Sequence, residues 1–238
     1  QPQVLSAQQT QVAEQLLTQL FGPATDTSAG APTDWQAQAV RDALSRQVCV
    51  LAGGPGTGKT FTVARLLVTL QAVSDTPLTI AMAAPTGKAK QRLLESISHA
   101  KLQLQQQGID LALINSIPNN AHTLHGLLGL RPNKQYVKHN QSNPLNIDLL
   151  LVDEVSMVDT LLMYQLTRAL PAMAVLILVG DAFQLPSVGP GNVLADIIAS
   201  AAVPVFSLNT IFRQAAESPI VLNAHRVRRG AFPEIVAQ

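Results

Sequence analysis

One short loop limits the folds open to this chain more than any other feature of its sequence. Residues 53–60 read GGPGTGKT, and they follow an apolar run at 48–52 that predicts a buried strand. An amphipathic segment that predicts a helix begins near Lys59. A strand, a glycine-rich loop and a helix in this order form a phosphate-binding loop. The glycines let backbone N–H groups face phosphate oxygens, and the helix directs the positive end of its dipole to the same place.

Each part of this loop has a predicted role toward a nucleoside triphosphate. Gly53, Gly56 and Gly58 are expected to turn the backbone with positive φ angles. Lys59 is expected to reach the β- and γ-phosphates, and Thr60 to offer its hydroxyl to Mg²⁺. The predicted cofactors are therefore ATP and Mg²⁺. The loop residues predicted to contact the nucleotide are Gly53, Gly54, Pro55, Gly56, Thr57, Gly58, Lys59, Thr60 and Phe61.

The composition excludes several classes of protein. Hydrophobic residues make up 47% of the 238 residues and charged residues 13%, yet no apolar run approaches the roughly 18 residues that a membrane span needs. The start of the chain does not resemble a signal peptide. A single cysteine, Cys49, allows no disulfide framework, which fits a reducing cytoplasm. A net charge of +1 means that any contact with DNA must be local.

Apolar runs alternate with amphipathic segments along most of the chain. Runs at 48–52, 78–84, 147–152, 174–179 and 203–207 predict five strands, with helices predicted between them. Strands that are apolar throughout favour a parallel sheet with helices on both faces. The predicted fold class is therefore α/β, a P-loop NTPase domain. Its ligands should bind beyond the carboxyl ends of the strands.

The predicted organisation has a short N-terminal part and one main domain. Residues 6–21 predict an amphipathic helix, and residues 22–33 are rich in Gly, Pro, Ser and Thr and predict a linker. We expect residues 1–33 to be the end of an absent N-terminal domain, although the apolar stripe of the helix could equally dock on the main body. The main ATPase domain is predicted at 34–238, with a protruding hairpin at 130–146.

Polar residues follow two of the predicted strands. Asp153 and Glu154 end one strand, where the first carboxylate can hold Mg²⁺ and the second can polarise a water for attack on the γ-phosphate. Asp181 and Gln184 follow the next strand, where they can report the presence of that phosphate. Asp181 could alternatively do no more than cap the following turn. The carboxylate pair predicts hydrolysis as well as binding.

With these motifs in place, the chain resembles the superfamily 1 helicases, and among them the RecD family, the alpha subunit of exodeoxyribonuclease V. The resemblance covers roughly residues 34–230. In chain order the motifs are Trp35-Gln36, GGPGTGKT, AAPTGKAKQRL, TLHGLLG, LLLVDEVSMVD, LVGDAFQLPSVGPG and LNTIFRQ. The resemblance implies a RecA-like motor domain that moves 5′ to 3′ on single-stranded DNA. It also implies a role in double-strand-break repair and recombination, beside the beta and gamma subunits of exodeoxyribonuclease V.

The same resemblance implies particular roles for individual residues. Gln36 would read the adenine, Gln184 would sense the γ-phosphate and Arg213 would supply a charge-neutralising guanidinium. Lys59 would hold the phosphates, Thr60 and Asp153 the Mg²⁺, and Glu154 would activate water. The residues implied to line the DNA track are Pro85, Thr86, Lys88, Thr123 and His125.

One departure from the family pattern concerns the second half of the motor. The sequence stops soon after LNTIFRQ, so we expect the second RecA-like domain to be absent. The chain alone is then expected to bind nucleotide but not to unwind DNA. The hairpin at 130–146 falls where related motors carry a 1B insertion, and it could be either a strand-separating pin or a solvated loop. Two other functions stay open: an AAA+-type ATPase, and a nucleotide-loaded scaffold subunit.

Overall fold

The centre of the fold is a six-stranded sheet in which every neighbouring pair of strands is parallel. The computed structural model describes residues 5–22, 35–54, 56–130, 137–181, 183–184 and 186–208. The strand order is β3-β2-β4-β5-β1-β6. The strands are β1 (Val48–Gly53), β2 (Ile80–Ala84), β3 (His122–Thr123), β4 (Leu149–Val152), β5 (Val175–Gly180) and β6 (Val205–Leu208).

Helices cover both faces of the sheet and bury alternate strand residues in two cores. On β4, Leu149 and Leu151 face one core, whereas Leu150 and Val152 face the other. The first core lies under α1 to α5 and the second under α6 to α8. The helices are α1 (Ala7–Phe21), α2 (Trp35–Ala43), α3 (Lys59–Val73), α4 (Gly87–Gln106), α5 (Leu111–Ser116), α6 (Leu124–Leu128), α7 (Thr160–Ala169) and α8 (Val193–Ser200). The predicted parallel α/β fold is confirmed.

Helix α1 shares the first core with the rest of the domain. Its apolar stripe, including Leu17 and Leu20, is buried against α3 and α2. Glu14 accepts two hydrogen bonds of 2.9 Å from the guanidinium of Arg41 on α2, and this pairing lowers the pKa of the Glu14 carboxyl. Of the two possibilities left open for this stripe, the structure shows docking on the main body. The predicted boundary at residue 33 lies outside the described residues.

The segment between α4 and α6 contains two short elements. The six-residue helix α5 begins at the cap Asp110 and buries Ile114. The two-residue strand β3 adds an edge to the sheet by pairing with β2. Neither element is long enough to show a clear hydrophobic period, so neither could be recognised from its sequence pattern.

The predicted hairpin at 130–146 is described only in part, because residues 131–136 lie outside the described ranges. Between residues 137 and 146 the backbone makes one tight turn, in which Asn140 and Asn143 exchange two hydrogen bonds of 3.0 Å. The strand-separating pin therefore stays a prediction.

None of the helices in the described ranges has both the length and the apolar character of a membrane span.

Candidate nucleotide-binding site

The loop after β1 has the backbone geometry of a phosphate-binding loop. Gly56 and Gly58 have φ angles of 82° and 77°, and Gly58 in this left-handed conformation is the N-cap of α3. Gly53 was also expected to have a positive φ, and it does not, because it is the last residue of β1. A glycine is required there for another reason: a Cβ would lie 2.6 Å from Thr57 Oγ1 and 3.2 Å from Leu208 Cβ.

The side chain of Lys59 folds back over this loop. Its ammonium Nζ donates hydrogen bonds to the carbonyl oxygens of Gly53, at 2.8 Å, and Gly54, at 3.0 Å. These contacts hold a positive charge at the mouth of the loop, beside the N-terminus of α3. Both features favour an anion at this position.

Beyond the carboxyl ends of the strands lies an open cleft of about 1540 Å³. The sheet register explains why the predicted site residues meet there. Ala52 of β1 pairs with Gly180 of β5, and Val152 of β4 pairs with Leu178 of β5, so the loops after these strands are neighbours. The predicted residues that line the cleft are Gln36, Gly56, Thr57, Gly58, Lys59, Thr60, Phe61, Asp153, Glu154 and Gln184.

The two carboxylates after β4 differ in backbone and in environment. Glu154 has φ 54° and ψ 43°, a left-handed conformation that is strained for a residue with a side chain. Desolvation raises the pKa of the Asp153 carboxyl to about 6, and the adjacent Glu154 carboxylate acts in the same direction. A buried carboxylate next to another one costs folding free energy, which is typical of a site kept for function.

This cost predicts that Asp153→Asn stabilises the fold. Between about pH 4 and pH 6 the folded protein binds a proton at Asp153 that the unfolded chain has released, so the unfolding free energy falls as pH rises through this window. Above about pH 6 the free-energy cost of burying the ionised Asp153 carboxylate is fully present. The neutral amide removes the cost, and we expect a gain of up to about 3 kcal/mol at about pH 7.5. Urea unfolding at about pH 7.5 and about pH 5 measures this gain, which should be smaller at the lower pH.

A matched control for this variant lies at the other end of the same strand. Asp148 precedes β4, and its carboxylate accepts a 2.7 Å hydrogen bond from the backbone N–H of Thr79. An asparagine oxygen can accept the same bond, so Asp148→Asn should bring no gain at either pH. If Asp153→Asn gave an equal gain at both pH values, titration of Asp153 would not be its source.

Asp181 and Gln184 lie in different environments within their turn. Asp181 is 3% exposed, and its Oδ1 accepts a 3.0 Å hydrogen bond from the backbone N–H of Phe183. This is the capping role that was the alternative for Asp181, which does not line the cleft. The backbone N–H of Gln184 donates to the Asp181 carbonyl at 3.1 Å, and the Gln184 side chain lines the cleft.

Gln36 lies against the wall of the cleft and is 7% exposed. Its Nε2 donates to the Thr57 carbonyl at 3.2 Å, and its Oε1 accepts from Nη1 of Arg65 at 3.2 Å. Arg65 and Phe21 also line the cleft, and neither was predicted as a site residue. The signal for Arg65 is present in the sequence, since it is the only charged residue after Lys59 in the otherwise apolar or uncharged α3. Phe21 has no such signal.

The residues predicted to contact DNA follow strands β2 and β3, on the side of the sheet away from the phosphate loop after β1. Ala84 at the end of β2 pairs with Thr123 at the end of β3. Thr86 and Thr123 cap helices α4 and α6, each hydroxyl accepting a backbone hydrogen bond of 3.1 Å. Pro85 is half-buried, whereas Lys88 and His125 are exposed. The structure brings these five residues together, and it gives the two threonine hydroxyls a capping role in addition to any contact with DNA.

Two predicted site residues, Pro55 and Arg213, lie outside the described residues. For the predicted Mg²⁺, Thr60 and Asp153 line the same part of the cleft and present hydroxyl and carboxylate oxygens, which are suitable ligands for this ion. In the described ranges no group of three or more His, Cys, Asp or Glu side chains is arranged to hold a metal. Mg²⁺ commonly keeps several waters and binds through only one or two protein side chains, so Thr60 and Asp153 fit this ion.

The fold and the site define a RecA-like P-loop NTPase domain. The chain belongs to the AAA domain family, whose pattern matches residues 36–190. Among solved structures, the fold is similar to that of Bacteroides Pif1 bound to ssDNA, with a TM-score of 0.51 and 21% identity over 84% of this chain and 46% of that one. Pif1 helicase from Candida albicans gives a TM-score of 0.52 at 22% identity, over 86% of this chain and 45% of that one.

Curated relatives are similar at the level of sequence. RecBCD enzyme subunit RecD from Haemophilus influenzae is 47% identical over 69% of this chain and 26% of its own length. The subunit of the same name from Mycolicibacterium smegmatis is 45% identical over 71% of this chain and 31% of its own. ATP-dependent RecD2 DNA helicase from Deinococcus radiodurans is 36% identical over 83% of this chain and 24% of its own. The predicted resemblance to the RecD family is confirmed, and the chain spans between about a quarter and a third of these relatives' length.

Proposed function

We propose that this chain is the first RecA-like domain of an ATP-driven helicase that acts on single-stranded DNA. The observation that carries the proposal is the convergence of Lys59, Thr60, Asp153, Glu154 and Gln184 on one cleft. A domain that only held a nucleotide would need the phosphate loop but not a carboxylate pair and an amide opposite it. The similarity to proteins named RecD and RecD2 supports this function.

In this proposal each side chain acts on a different part of the triphosphate. When the nucleotide binds, Lys59 donates its hydrogen bonds to phosphate oxygens and no longer to the Gly53 and Gly54 carbonyls. The N–H groups at the start of α3 bind the same phosphates. Mg²⁺, held by Thr60 and Asp153, would neutralise negative charge on the phosphates. Glu154 accepts a proton from the attacking water. Gln184 contacts the terminal phosphate and changes its partner when that phosphate leaves.

The second part of the proposal is a DNA track at the carboxyl ends of β2 and β3. Two helices, α4 and α6, begin there beside the exposed Lys88 and His125. Backbone N–H groups at helix starts and basic side chains are common contacts for DNA phosphates. The net charge of +1 fits a narrow track better than a broad basic surface.

The order of the strands connects the two sites. Strands β4 and β5 lie between β2 and β1, so the loops that carry Glu154 and Gln184 separate the DNA track from the phosphate loop. A change at the terminal phosphate therefore acts on loops that neighbour both ligands. This arrangement supports coupling between nucleotide and DNA within one sheet edge.

The partners and location follow from the same resemblance. The relatives named as subunits of the RecBCD enzyme support an assembly with two further subunits, which we predict to be the beta and gamma subunits of exodeoxyribonuclease V. The predicted work is the repair of double-strand breaks and recombination, in the cytoplasm. Movement from 5′ to 3′ along DNA and the dependence of unwinding on a second RecA-like domain are part of the same proposal.

Coupling between the two ligands tests the proposed function. We expect a single-stranded oligonucleotide to change the Kd of the full chain for a nonhydrolysable ATP analogue by about 5-fold or more, because linked sites typically differ by this much. Fluorescence titration with a labelled analogue, with and without the oligonucleotide, measures the change. A matched duplex of the same length should have a smaller effect, since its bases are not accessible for stacking.

Lys88→Ala provides the control for this experiment. Lys88 is exposed on the first turn of α4 and does not line the nucleotide cleft. The substitution should weaken oligonucleotide binding, and with it the coupling at a fixed oligonucleotide concentration. It should leave the affinity for the analogue alone unchanged. Equal affinity for the analogue with and without saturating oligonucleotide, in the unsubstituted protein, would contradict the proposal.

A further inference from the structure

Arg65 is a buried cation in the wall of the nucleotide cleft. It lies on the second turn of α3, and its side chain is 8% exposed. Its guanidinium carbon is 4.2 Å from the ring centroid of Phe21, at the end of α1, and 4.0 Å from that of Phe61 on α3. A planar guanidinium between two aromatic rings gains cation–π attraction from both and loses most of its freedom to rotate. Arg65 therefore presents its N–H groups in a fixed direction.

One of these groups determines the orientation of the Gln36 side-chain amide. Arg65 Nη1 donates to Gln36 Oε1 at 3.2 Å, and Gln36 Nε2 donates to the Thr57 carbonyl at 3.2 Å. A guanidinium can only donate and a backbone carbonyl can only accept. If the amide were reversed, its NH₂ group would face the guanidinium and its oxygen would face the carbonyl, and both bonds would be lost. The amide therefore has one favourable orientation.

We infer that Arg65 is a positioning residue that fixes the Gln36 amide and makes the site select adenine over guanine. This inference rests on the proposed function and on the role that the family resemblance implies for Gln36, which is to contact the base of the nucleotide. Adenine presents a donor at N6 beside an acceptor at N7, and a glutamine amide matches this pair with its oxygen and its NH₂ group. Guanine presents two acceptors, O6 and N7. Only an amide that can rotate is able to turn its NH₂ group toward O6, so a fixed amide disfavours guanine.

Helix α1 contributes to this arrangement through Phe21. The helix ends at Phe21, and Gly22 follows with φ 86°, so the ring lies at the point where the chain leaves the helix. Its ring and that of Phe61 enclose the guanidinium from two elements of the fold. The docking of α1 on the domain therefore affects the base site as well as the core. Base selectivity should depend on both Arg65 and Phe21.

Arg65→Met tests the inference directly. Methionine keeps an apolar side chain of similar length between the rings but cannot donate a hydrogen bond. The full chain is titrated with Mg²⁺ and an ATP analogue, a GTP analogue or inorganic tripolyphosphate. We expect the unsubstituted protein to bind the ATP analogue about tenfold or more tightly than the GTP analogue, because a fixed polar group that is left unmatched rejects the wrong base. In the variant this ratio of affinities should fall by about tenfold. Affinity for tripolyphosphate should be unchanged, since it does not reach the base site.

Arg168→Met is the matched control. Arg168 on α7 also stacks on an aromatic ring, with its guanidinium 5.6 Å from the centroid of Tyr164. It is exposed on the opposite face of the sheet and does not line the cleft. This variant should keep the full adenine preference. An unchanged preference in a folded Arg65→Met protein would overturn the inference.

The other outcomes are also decisive. If the unsubstituted protein binds tripolyphosphate and both nucleotides with equal affinity, base selection by Gln36 and Arg65 is overturned while the phosphate site stands. If it binds none of the three, the proposed function fails, and the inference fails with it. If thermal unfolding shows that Arg65→Met does not fold, Phe21→Leu replaces it. Losing one of the two rings should reduce the preference by about threefold, and an unchanged preference would overturn the inference.

Discussion

Lys59→Ala in the full-length protein is expected to reduce ATP turnover by at least about 100-fold and, with it, DNA unwinding. The ammonium lies at the mouth of the phosphate loop, 2.8 and 3.0 Å from the carbonyl oxygens of Gly53 and Gly54, and it is the only positively charged side chain in the sequence of the loop, residues 53–60. Charge-assisted hydrogen bonds are worth about 1.5–3 kcal/mol each, so nucleotide affinity should fall by about 10- to 100-fold. Turnover should fall by about 100- to 1000-fold, because the charge also stabilises the transition state.

This variant also separates a motor from the alternative scaffold function. Nucleotide affinity is measured by equilibrium titration, turnover by phosphate release with single-stranded DNA, and assembly by co-purification with partner subunits. A scaffold would keep its role in the assembly after this substitution, whereas a motor would lose its activity. Lys90→Ala is the control, since Lys90 lies on α4 and does not line the cleft. Unchanged turnover in Lys59→Ala would contradict the proposed role of the loop.

The parts of the structure that the sequence predicted correctly are those with a strong local signal. The five apolar strands, including 48–52 before the phosphate loop, were recognised because a parallel sheet covered on both faces needs residues that are apolar throughout. Their carboxyl ends must share one edge, so the meeting of Lys59 with the carboxylates after β4 followed from the strand assignments. An AAA+-type ATPase, one of the two alternatives named above, would be expected to have Thr or Asn at the end of the fourth predicted strand, whereas β5 ends at Gly180 and is followed by Asp181.

The parts that the sequence did not predict depend on contacts between distant residues. Arg65 is joined to Gln36 and Phe21, which are 29 and 44 positions earlier in the chain, and no local pattern reports such a contact. The prediction for Gly53 gave the wrong reason for a glycine at this position. The close approach of Thr57 requires it, and the φ angle is not positive. The docking of α1 was left open because an amphipathic stripe indicates that a partner exists without identifying it.

Backbone strain at Glu154, the proposed general base, could not be foreseen either. The sequence places Glu154 two positions after an apolar strand, but the left-handed backbone at φ 54° appears only when β4 is followed by a single 3₁₀ turn at Val155–Met157. This turn follows so closely that Glu154 itself must change the chain direction, with its carbonyl accepting from the N–H of Met157 at 3.0 Å. A glycine would be less strained at this position. A strained glutamate in its place indicates that the carboxylate is required there.

This strain leads to the last prediction, Glu154→Gln in the full-length protein. Glutamine has nearly the same size and suffers the same backbone strain, so the fold and nucleotide binding should be retained. It cannot take a proton from water, and the loss of a general base typically costs about 10²–10⁴ in rate. We expect DNA-stimulated ATP turnover to fall by this factor while affinity for an ATP analogue changes by less than about threefold, because analogue binding does not require proton transfer. Single-turnover hydrolysis and equilibrium titration measure the two quantities separately.

Glu95→Gln distinguishes this role from a general effect of charge in the cleft. Glu95 lines the same cleft from α4 and accepts a 3.0 Å hydrogen bond from Gln91, but it follows no strand of the sheet edge. Removing its charge alters the field around the nucleotide without removing a proton acceptor after β4. Turnover should therefore stay within about twofold of the unsubstituted protein, since an exposed charge contributes little at physiological salt. If both variants lost turnover equally, the field of the cleft rather than proton transfer by Glu154 would account for the rate, and the identity of the catalytic base would have to be revised.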